Sequence, residues 1–463
     1  MLTPPDARPF PRGSSEPARG PDGSVRPGDA LLDRVGRELL LPAADTGSDQ
    51  ARHPVPLPSR SATGELAWAS VGAAMLAAGR SPATIDPDRV AMSYRSDRFL
   101  TIDGSAPSVW SPFSGFWRTD DGWVRTHGNY PHHAVALRAG LSLQNDADAD
   151  AVRDALAERS TTDAVSAITS SGGLAVAVAE EDPLADSVLR ARPLLEITRV
   201  DTAPQGFGQP VTSTPRDPKG LPLHGMRVLD LTRVIAGPVC TRTLALLGAD
   251  VLRIDPPHLP EPEWQHLDTG HGKRSTLLDA RTERLHELLT QADAVVLGYR
   301  PAALDRLGLN PEMLAHRYPG LVVAQLSAWG AEQPDRAGFD SLVQAASGIA
   351  LVESSDGESP GALPAQALDH SAGYLLAAAV TTLRERRMRE GGSWIVRTSL
   401  RRIAAELLGM PRRRSPEAEA EFDTAPHLDR FDVGGRSLVT ARPALAGFEF
   451  AAPHAFGSDQ PDW

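Results

Sequence analysis

A carboxylate at the start of a helix is the first group in this sequence that could do covalent chemistry. Asp369 stands in the segment QALDHSAGYLL, directly ahead of small and apolar residues that predict a helix. An aspartate there predicts a helix N-cap, whose side chain accepts hydrogen bonds from the first free amides. The same position leaves the carboxylate exposed and ionised, as a nucleophile has to be. From the residues alone, both roles remain open.

A second group of residues could bind an anionic ligand. The tripeptide AGP at 236–238 joins a predicted strand to a predicted helix, so Gly237 permits close backbone approach and the helix N-terminus offers unpaired amides. Asp255 ends the next predicted strand, where such sheets often meet a ribose, although a plain turn residue is the alternative. The charge that a phosphate needs is available from basic residues that singly are more often surface groups: GKRS at 272–275, Arg281, Arg300 and Arg306.

Other motifs fail on spacing or context. GHGKRST at 270–276 has Leu267 where a phosphate-binding loop needs its first glycine. His127, His132 and His133 have no carboxylate or cysteine at ligand spacing, which favours a strand end followed by a helix cap over a metal site. No GxSxG motif is present and no GxGxxG follows the first strand of the sheet, which disfavours a serine hydrolase and a dehydrogenase. Cys240, the single cysteine, is interpreted as a small core residue in a reducing compartment.

The elements that must position these residues alternate between strand and helix after residue 222. MRVLDLT, DVLRID, ADAVVLGY and GLVVAQLSAW are apolar runs of strand length, and CTRTLALLGA and RTERLHELLTQA have helical spacing. These runs predict a Rossmann-like α/β fold, with a parallel sheet covered by helices on both faces. Earlier in the chain, DRFLTID, WSPFSGFWRT and GWVRTHG predict strands, and ELAWASVGAAMLAAG and HHAVALRAGL predict helices.

Composition divides the chain into regions and narrows its class of function. With 47 basic against 59 acidic residues, the net charge of −12 disfavours nucleic acid and anionic membranes as partners. No apolar window reaches membrane-spanning length and the N-terminus lacks a signal-peptide run, so the cytoplasm is the expected location. The predicted regions are a disordered arm at 1–29, a small α/β domain at 30–200, a Pro/Gly/Thr linker at 201–222, the sheet domain at 223–410 and a tail at 411–463.

The sheet domain resembles a known family along most of its length. GMRVLDLTRVIAGPVCTRTLALLGADVLRIDPP, GKRSTLLDARTERLHELLTQADAVVLGYRPAALDRLGLN and LPAQALDHSAGYLLAA are similar, in order over about residues 223–405, to the family III CoA-transferases. The resemblance implies that Asp369 attacks an acyl thioester, forms a mixed anhydride and then carries CoA as an aspartyl thioester. It also implies a CoA pocket formed by Val234, Ile235, Ala236, Gly237, Asp255, Leu278, Arg281, Tyr299 and Arg306.

The same resemblance sets expectations for ligands and assembly. Coenzyme A and acyl-CoA would be substrates together with carboxylic acids, with no permanently bound cofactor and no metal. Family members form interlocked homodimers, which implies a homodimer here. Residues from about 97 to 200 look like the small domain that family members carry after their nucleotide-binding part, so the order of the two parts is reversed in this chain.

Several positions depart from the family pattern. Ile235, Gly298 and Pro256 replace a glutamine, an asparagine and a basic residue, and they motivate the alternative of a CoA-ester-binding homologue without catalysis. Phe339 replaces the histidine that the 2-methylacyl-CoA racemase branch carries immediately before an aspartate, here Asp340. A phenyl ring cannot shuttle a proton, so an isomerase is disfavoured.

Overall fold

The computed structural model describes residues 25–44, 53–201, 220–416, 418–419 and 421–463. In chain order, the elements up to residue 201 are α1 (Pro27–Leu39), α2 (Thr63–Ala77), α3 (Pro87–Tyr94), α4 (Ser96–Phe99), β1 (Thr101–Ile102), β2 (Phe116–Arg118), β3 (Trp123–Thr126), α5 (Pro131–Gly140), α6 (Ala149–Ala157), α7 (Thr161–Ser170), β4 (Ala175–Ala177), α8 (Pro183–Ala191) and β5 (Glu196–Val200). Aspartate side chains begin several of these helices by accepting hydrogen bonds from first-turn amides: Asp86, Asp148 and Asp182.

The second half of the chain alternates strands and helices, as its apolar runs predict. Its elements are β6 (Arg227–Leu231), α9 (Ala236–Leu246), β7 (Asp250–Asp255), α10 (Glu263–Thr269), β8 (Lys273–Leu277), α11 (Glu283–Leu289), β9 (Ala294–Leu297), α12 (Pro301–Arg306), α13 (Pro311–Arg317), β10 (Val322–Ser327), α14 (Asp340–Ala346), α15 (Ile349–Val352), α16 (Ala367–Glu390), β11 (Ser393–Ser399), α17 (Leu400–Leu408), β12 (Leu428–Val433) and β13 (Arg436–Ala441). Pro82–Thr84 and Ala425–His427 form short 3-10 helices.

A seven-stranded sheet of order β5-β11-β10-β9-β6-β7-β8 forms the centre of the molecule. Its neighbouring strands pair in parallel, except that β5 runs antiparallel to β11. Strands β6, β7, β9 and β10 are buried on both faces, which explains their near-continuous apolar sequences. The predicted α/β fold with a parallel sheet is confirmed. The chain progresses outward in opposite directions from β6 and β9, so the loops after these two strands diverge.

Helices from both halves of the chain share one core beside this sheet. Helix α16 is buried from Ala367 to Leu383 and packs against α9 and α2. At its crossing with α9, a Cβ at Gly373 would lie 2.7 Å from the carbonyl oxygen of Ala236 and from Cβ of Val239, so only glycine allows this approach. Helix α2 is buried almost all round and belongs to the same apolar cluster as the sheet. The elements predicted before residue 200 therefore complete the core of the sheet domain.

A smaller layer lies beside this core. Strands β2, β3 and β4 form an antiparallel sheet, and an apolar cluster joins it to α5, α6 and α7. Strand β5, which lies within the predicted 30–200 region, instead forms the edge of the central sheet. The division into domains remains a prediction. Residues 202–219 of the predicted linker and 1–24 of the predicted arm lie outside the described residues, whereas α1 begins within the arm at Pro27.

The predicted C-terminal tail contains regular structure and covers the other edge of the central sheet. Strands β12 and β13 pair antiparallel, and β13 also pairs with β1. Further on, Asp459 accepts a hydrogen bond at 2.8 Å from the amide of Ser275 in β8 through its carboxylate. Trp463 packs near α11 and donates its indole N–H to the carbonyl of Leu288. These contacts cover the edge of β8 that pairs with no other strand of the sheet. Within the described parts of the chain, no helix has the length and apolar character needed to cross a membrane.

Candidate active site

A cavity of about 540 Å³ opens at the carboxyl ends of β6, β9, β10 and β11. It lies where the loops after β6 and β9 diverge, the place at which open α/β sheets usually bind ligands. Four parts of the chain form its walls: the start of α5, the segment from the end of α7 into β4, the loops after the sheet strands, and the first turns of α14 and α16. The residues from these parts that matter for chemistry are Tyr130, His133, Val234, Tyr299, Phe339 and Asp369.

Asp369 lines this cavity from the first turn of α16. The N-cap of the helix is Gln366, and Asp369 is the third helical residue, so the expectation that it caps the helix is wrong. Its own amide donates to Oδ2 of Asp340 at 2.9 Å, which supplies the capping that the sequence assigned to Asp369. The residue is only 6% exposed, because α14 packs against the start of α16. The expectation of a freely exposed carboxylate is therefore also wrong.

The neighbouring carboxyl groups of Asp369 and Asp340 both resist ionisation. Burial and the nearby charge of Asp340 raise the pKa of Asp369 well above its usual range. Burial raises the pKa of Asp340 to about 6, although its hydrogen bonds with Gln344 and with backbone amides favour the ionised form. Gln344 donates to Oδ1 of Asp340 at 2.5 Å and is held in turn by the amide of Leu363. Paired carboxyl groups with raised pKa values in a cavity are typical of reactive sites.

The turn between β6 and α9 forms a second wall and has an unusual backbone. Val234 has a φ of 71°, which a β-branched residue rarely adopts. A Cβ at Gly237 would lie 2.3 Å from Cβ of Thr232, so the turn itself requires this glycine rather than the approach of a ligand. Val234 and Ala236 line the cavity, and the start of α9 has no side-chain cap. Ile235 packs against the apolar core.

The basic residues that the sequence predicts to bind a phosphate do not lie together in one pocket. Lys273 is buried and pairs with Asp230 at 3.0 Å beneath α9, and Arg274 pairs with Asp250. Arg281 is exposed and faces Asp279. These groups stabilise the sheet domain and its surface instead of contributing to the cavity.

Other predicted CoA-binding residues divide between the cavity and its surroundings. Tyr299 and Arg300 line the cavity, whereas Arg306 is exposed and pairs at 3.3 Å with Asp335 at the cavity wall. Asp255 is buried and accepts two hydrogen bonds from Arg253. Leu278 packs against the same apolar cluster as Tyr299. The structure thus brings together Asp369, Val234, Ala236 and Tyr299, with Arg300 beside them.

Two of the three histidines that follow β3 line the cavity, which the sequence did not predict, and the third lies beside them against Phe339. The ring of His127 stacks on Phe339 with centroids 3.8 Å apart, and the ring of His133 lies 6.0 Å from the same phenyl group. His132 and His133 line the cavity. Burial lowers the pKa of His127 to about 3 and that of His133 to about 4, so both imidazoles are neutral near pH 7. Their clustering in HGNYPHH was visible in the sequence, but their place opposite α14 depends on long-range folding.

One group with metal-ligand spacing is found in the described residues, outside the cavity. Ligand atoms of Asp86, Asp88 and His427 lie within 4.8 Å of one another. Asp86 is already engaged as the N-cap of α3, accepting hydrogen bonds from the amides of Asp88 and Arg89. The geometry of this group is explained by helix capping.

Fold and site together define a doubly wound α/β protein in which the carboxyl group of Asp369 lines the cavity at the switch point of the sheet. Residues 223–418 match the family model described as CoA-transferase family III. This match confirms, for that part of the chain, the resemblance found in the sequence.

Named relatives are similar to part of this chain. A probable fatty acyl-CoA transferase, Rv3272, of Mycobacterium tuberculosis is 31% identical over 45% of this chain and 59% of its own length. A succinyl-CoA–D-citramalate CoA-transferase of Chloroflexus aurantiacus is 34% identical over 30% of this chain and 39% of its own length. The crystal structure of Rv3272 gives a TM-score of 0.38, covering 40% of this chain and 56% of that one at 31% identity. The chain thus spans less than two thirds of each of these relatives.

Proposed function

We propose that this protein transfers CoA between carboxylic acids, with Asp369 as the nucleophile. The observation that carries the proposal is the position of Asp369: its carboxyl group lies in the wall of the switch-point cavity. It does so in the segment that matches CoA-transferase family III, and the resemblance to that family implies a carboxylate nucleophile at this position. The buried surroundings of Asp369 keep water away from covalent intermediates that hydrolysis would destroy.

The reaction divides into covalent half-steps that return Asp369 to its starting state. An oxygen of the ionised Asp369 attacks the thioester carbon, the C–S bond breaks, and CoA leaves as a thiolate with a mixed anhydride behind. The thiolate attacks the side-chain carbonyl of Asp369, releasing the first carboxylate and leaving an aspartyl-CoA thioester. The acceptor carboxylate then repeats these two exchanges in reverse order and leaves as the new acyl-CoA. Each pair of exchanges, taken together, moves CoA from one carboxyl group to another, so neither half-step is steeply uphill.

Other cavity residues support this chemistry. The uncapped start of α9 directs backbone amides toward the ligand space, where they can stabilise negative charge that develops on a carbonyl oxygen. Arg300 provides a cation in the cavity wall for an anionic part of the substrate. We propose coenzyme A, acyl-CoA and carboxylic acids as substrates. The cytoplasmic location and the homodimer remain predictions from the sequence.

Chemical trapping tests the nucleophile directly. The protein is incubated with acyl-CoA, treated with hydroxylamine or borohydride, and analysed by peptide mass spectrometry. We expect the modification on the peptide that contains Asp369 and its loss in Asp369→Asn. If no adduct forms while CoA esters still bind tightly, the alternative of a non-catalytic CoA-ester-binding homologue is favoured. Exchange activity undiminished in Asp369→Asn would refute the assignment.

A second candidate function follows from the histidines beside Phe339. The sequence disfavours an isomerase because Phe339 replaces a histidine, but the structure places the neutral imidazole of His133 in the same cavity as Asp369. A neutral imidazole and a carboxyl group could together move a proton at the α-carbon of an acyl thioester. Incubation with acyl-CoA in deuterated water tests this function. Deuterium at the α-carbon, lost in His133→Asn, would support it, and unlabelled acyl-CoA would exclude it.

A further inference from the structure

A buried glutamate connects two walls of the cavity. Glu261 lies between β7 and α10, and its side chain has no solvent exposure. Oε1 accepts hydrogen bonds from the hydroxyl of Tyr130 at 2.9 Å and from the amide of Val234 at 3.2 Å. Oε2 accepts from Nε of Arg233 at 2.7 Å and from a terminal nitrogen of Arg253 at 3.2 Å. One carboxylate therefore accepts hydrogen bonds from four donors that belong to three parts of the chain.

Two of these donors belong to residues that shape the ligand space. Tyr130 begins α5 in the first half of the chain, and Val234 lies in the turn after β6. Both line the cavity with Asp369. The amide held by Glu261 belongs to the residue whose φ of 71° is unfavourable for valine, so this hydrogen bond stabilises a strained backbone. Arg233 adds a further link, because its guanidinium lies 4.9 Å from the centre of the Tyr130 ring.

The charges around Glu261 make this arrangement rigid. Burial alone would raise the pKa of Glu261, but the positive charges of Arg253 and Arg233 hold that pKa below its usual value. Arg253 is itself fixed by two hydrogen bonds to Asp255, at 2.7 and 3.0 Å. An ionised carboxylate surrounded by donors on both oxygens has little freedom to move.

We propose that Glu261 is a positioning residue for the acyl-CoA site. It holds the turn after β6 against Tyr130, and the two walls so joined present the thioester to Asp369. Glu261 does not face the substrate but acts through Val234 and Tyr130. This inference rests on the proposed function, because it assigns those two residues to the site that binds the acyl thioester.

The substitution Glu261→Gln in the full chain tests the inference. Glutamine keeps the volume and one acceptor oxygen, but its NH₂ group opposes the two guanidinium groups. We expect kcat/KM for acyl-CoA to fall about tenfold, mainly through a higher KM, because a displaced wall misorients the substrate. Glu263→Gln is the matched control, since Glu263 is an exposed carboxylate two residues away that pairs with Arg436. This control should keep the wild-type KM.

A rescue variant separates positioning from a general loss of stability. Glycine adopts a positive φ without strain, so adding Val234→Gly to Glu261→Gln should keep the turn in place and return KM at least threefold toward the wild-type value. If Glu261→Gln does not fold, Tyr130→Phe removes a single hydrogen bond to the carboxylate and should raise KM severalfold at unchanged melting temperature. A wild-type KM in Glu261→Gln, or in Tyr130→Phe where the first variant does not fold, would overturn the inference.

If the proposed CoA transfer by Asp369 is wrong, the results differ from those expected if only the role of Glu261 is wrong. In that case the wild-type protein forms no adduct at Asp369 with acyl-CoA. Calorimetric titration with the same acyl-CoA then decides the inference without any catalysis. Binding weakened about tenfold in Glu261→Gln but not in Glu263→Gln would support positioning of the ligand, and equal binding by both variants would overturn it.

Discussion

In the proposed reaction, the reactivity of Asp369 depends on a neighbour that is itself a carboxyl group. Asp340 accepts the hydrogen bond of the Asp369 amide and places negative charge beside its side chain. Attack on a thioester needs the ionised form of Asp369, whose pKa is raised first by burial and then by this charge. Activity should therefore rise with pH as the pair ionises. The pair as a whole, rather than either residue, sets the midpoint of this rise.

Replacing Asp340 by asparagine should shift this pH dependence. The asparagine side chain is neutral at every pH, so Asp340→Asn should lower the pKa of Asp369 and move the acid limb of log kcat/KM about one unit toward lower pH. The asparagine oxygen can still accept the Asp369 amide. Rates measured from about pH 4 to about pH 9 will show the shift. Asp150→Asn, which changes an exposed carboxylate paired with Arg153, is the control and should leave the acid limb in place. An unmoved limb in Asp340→Asn would contradict the electrostatic coupling.

Lys273 belongs to a basic motif that stabilises the fold and does not line the cavity. Its ammonium group is buried and donates to Asp230, to Thr241 and to the carbonyl of Pro238, at 3.0, 2.6 and 2.9 Å. Lys273→Met would leave the carboxylate of Asp230 buried without its cation, and should lower the free energy of unfolding by about 3–5 kcal/mol. Arg274→Met, at the adjacent and partly exposed ion pair, should cost about 1 kcal/mol or less. Urea unfolding of both variants measures the difference, and equal losses would show that burial of the Lys273 pair is unimportant.

At the scale of elements, the crossing of α16 over α9 fixes the position of the Asp369 carboxyl group. A methyl group at Gly373 would meet backbone and side-chain atoms of α9 at 2.7 Å, where neither helix can yield locally. Gly373→Ala should therefore destabilise the protein by about 1–3 kcal/mol. Gly36→Ala in α1 adds the same methyl group where no atom lies within 4 Å, and should stabilise by about 0.5–1 kcal/mol through helix propensity. Thermal unfolding measures both, and a stabilised Gly373→Ala would disprove the tight crossing.

The local periodicity of the sequence predicts most of the helices and strands, but it does not predict which residues come together in the candidate site. Strands β6, β7, β9 and β10 can be predicted from their apolar runs, because both faces of these strands are buried. No apolar run in the sequence predicts strand β8, because Lys273 and Arg274 are residues typical of a surface. Their partners, Asp230 and Asp250, are distant in the sequence and become neighbours only in the folded chain. Asp369 was found through its motif. Its burial, however, results from the packing of α14, which no local pattern encodes.

The cavity wall also shows that local sequence patterns do not predict contacts between residues far apart in the chain. His133 and Phe339 are separated by some two hundred residues in the sequence, yet their rings lie 6.0 Å apart. The spacing of the histidines in HGNYPHH predicts a strand end and a helix start, which the structure confirms with β3 and α5. That these elements face α14 follows only from the packing of α14 against β3 and β4. Residues from separate halves of the chain thus form one site.

For the whole molecule, the segment that matches the family is not packed as an independent unit. Helix α2 lies against α16 on the side of the sheet where α9 packs, and its buried residues belong to the same apolar cluster. Strand β5 pairs with β11 along five residues, from Glu196–Arg397 to Val200–Ser393. Both contributors precede residue 220. Their removal would expose the apolar surface of α16 and leave β11 as an unpaired edge.

A fragment comparison tests this interdependence. Residues 220–463 expressed alone should be aggregated or lack a cooperative unfolding transition, because the apolar contacts with α1, α2 and β5 are absent. Coexpression with residues 25–201 should recover a soluble complex whose far-ultraviolet circular dichroism matches that of the full chain. A chain beginning at Val25 is the control, since it removes only part of the predicted arm and should unfold like the full chain. Cooperative unfolding of residues 220–463 alone, at the full-chain midpoint, would show that the first half of the molecule contributes nothing to the stability of the second. In that event the cavity walls around Tyr130 and His133 would be an attachment to a preformed domain, and binding of acyl-CoA to the fragment would measure what they add.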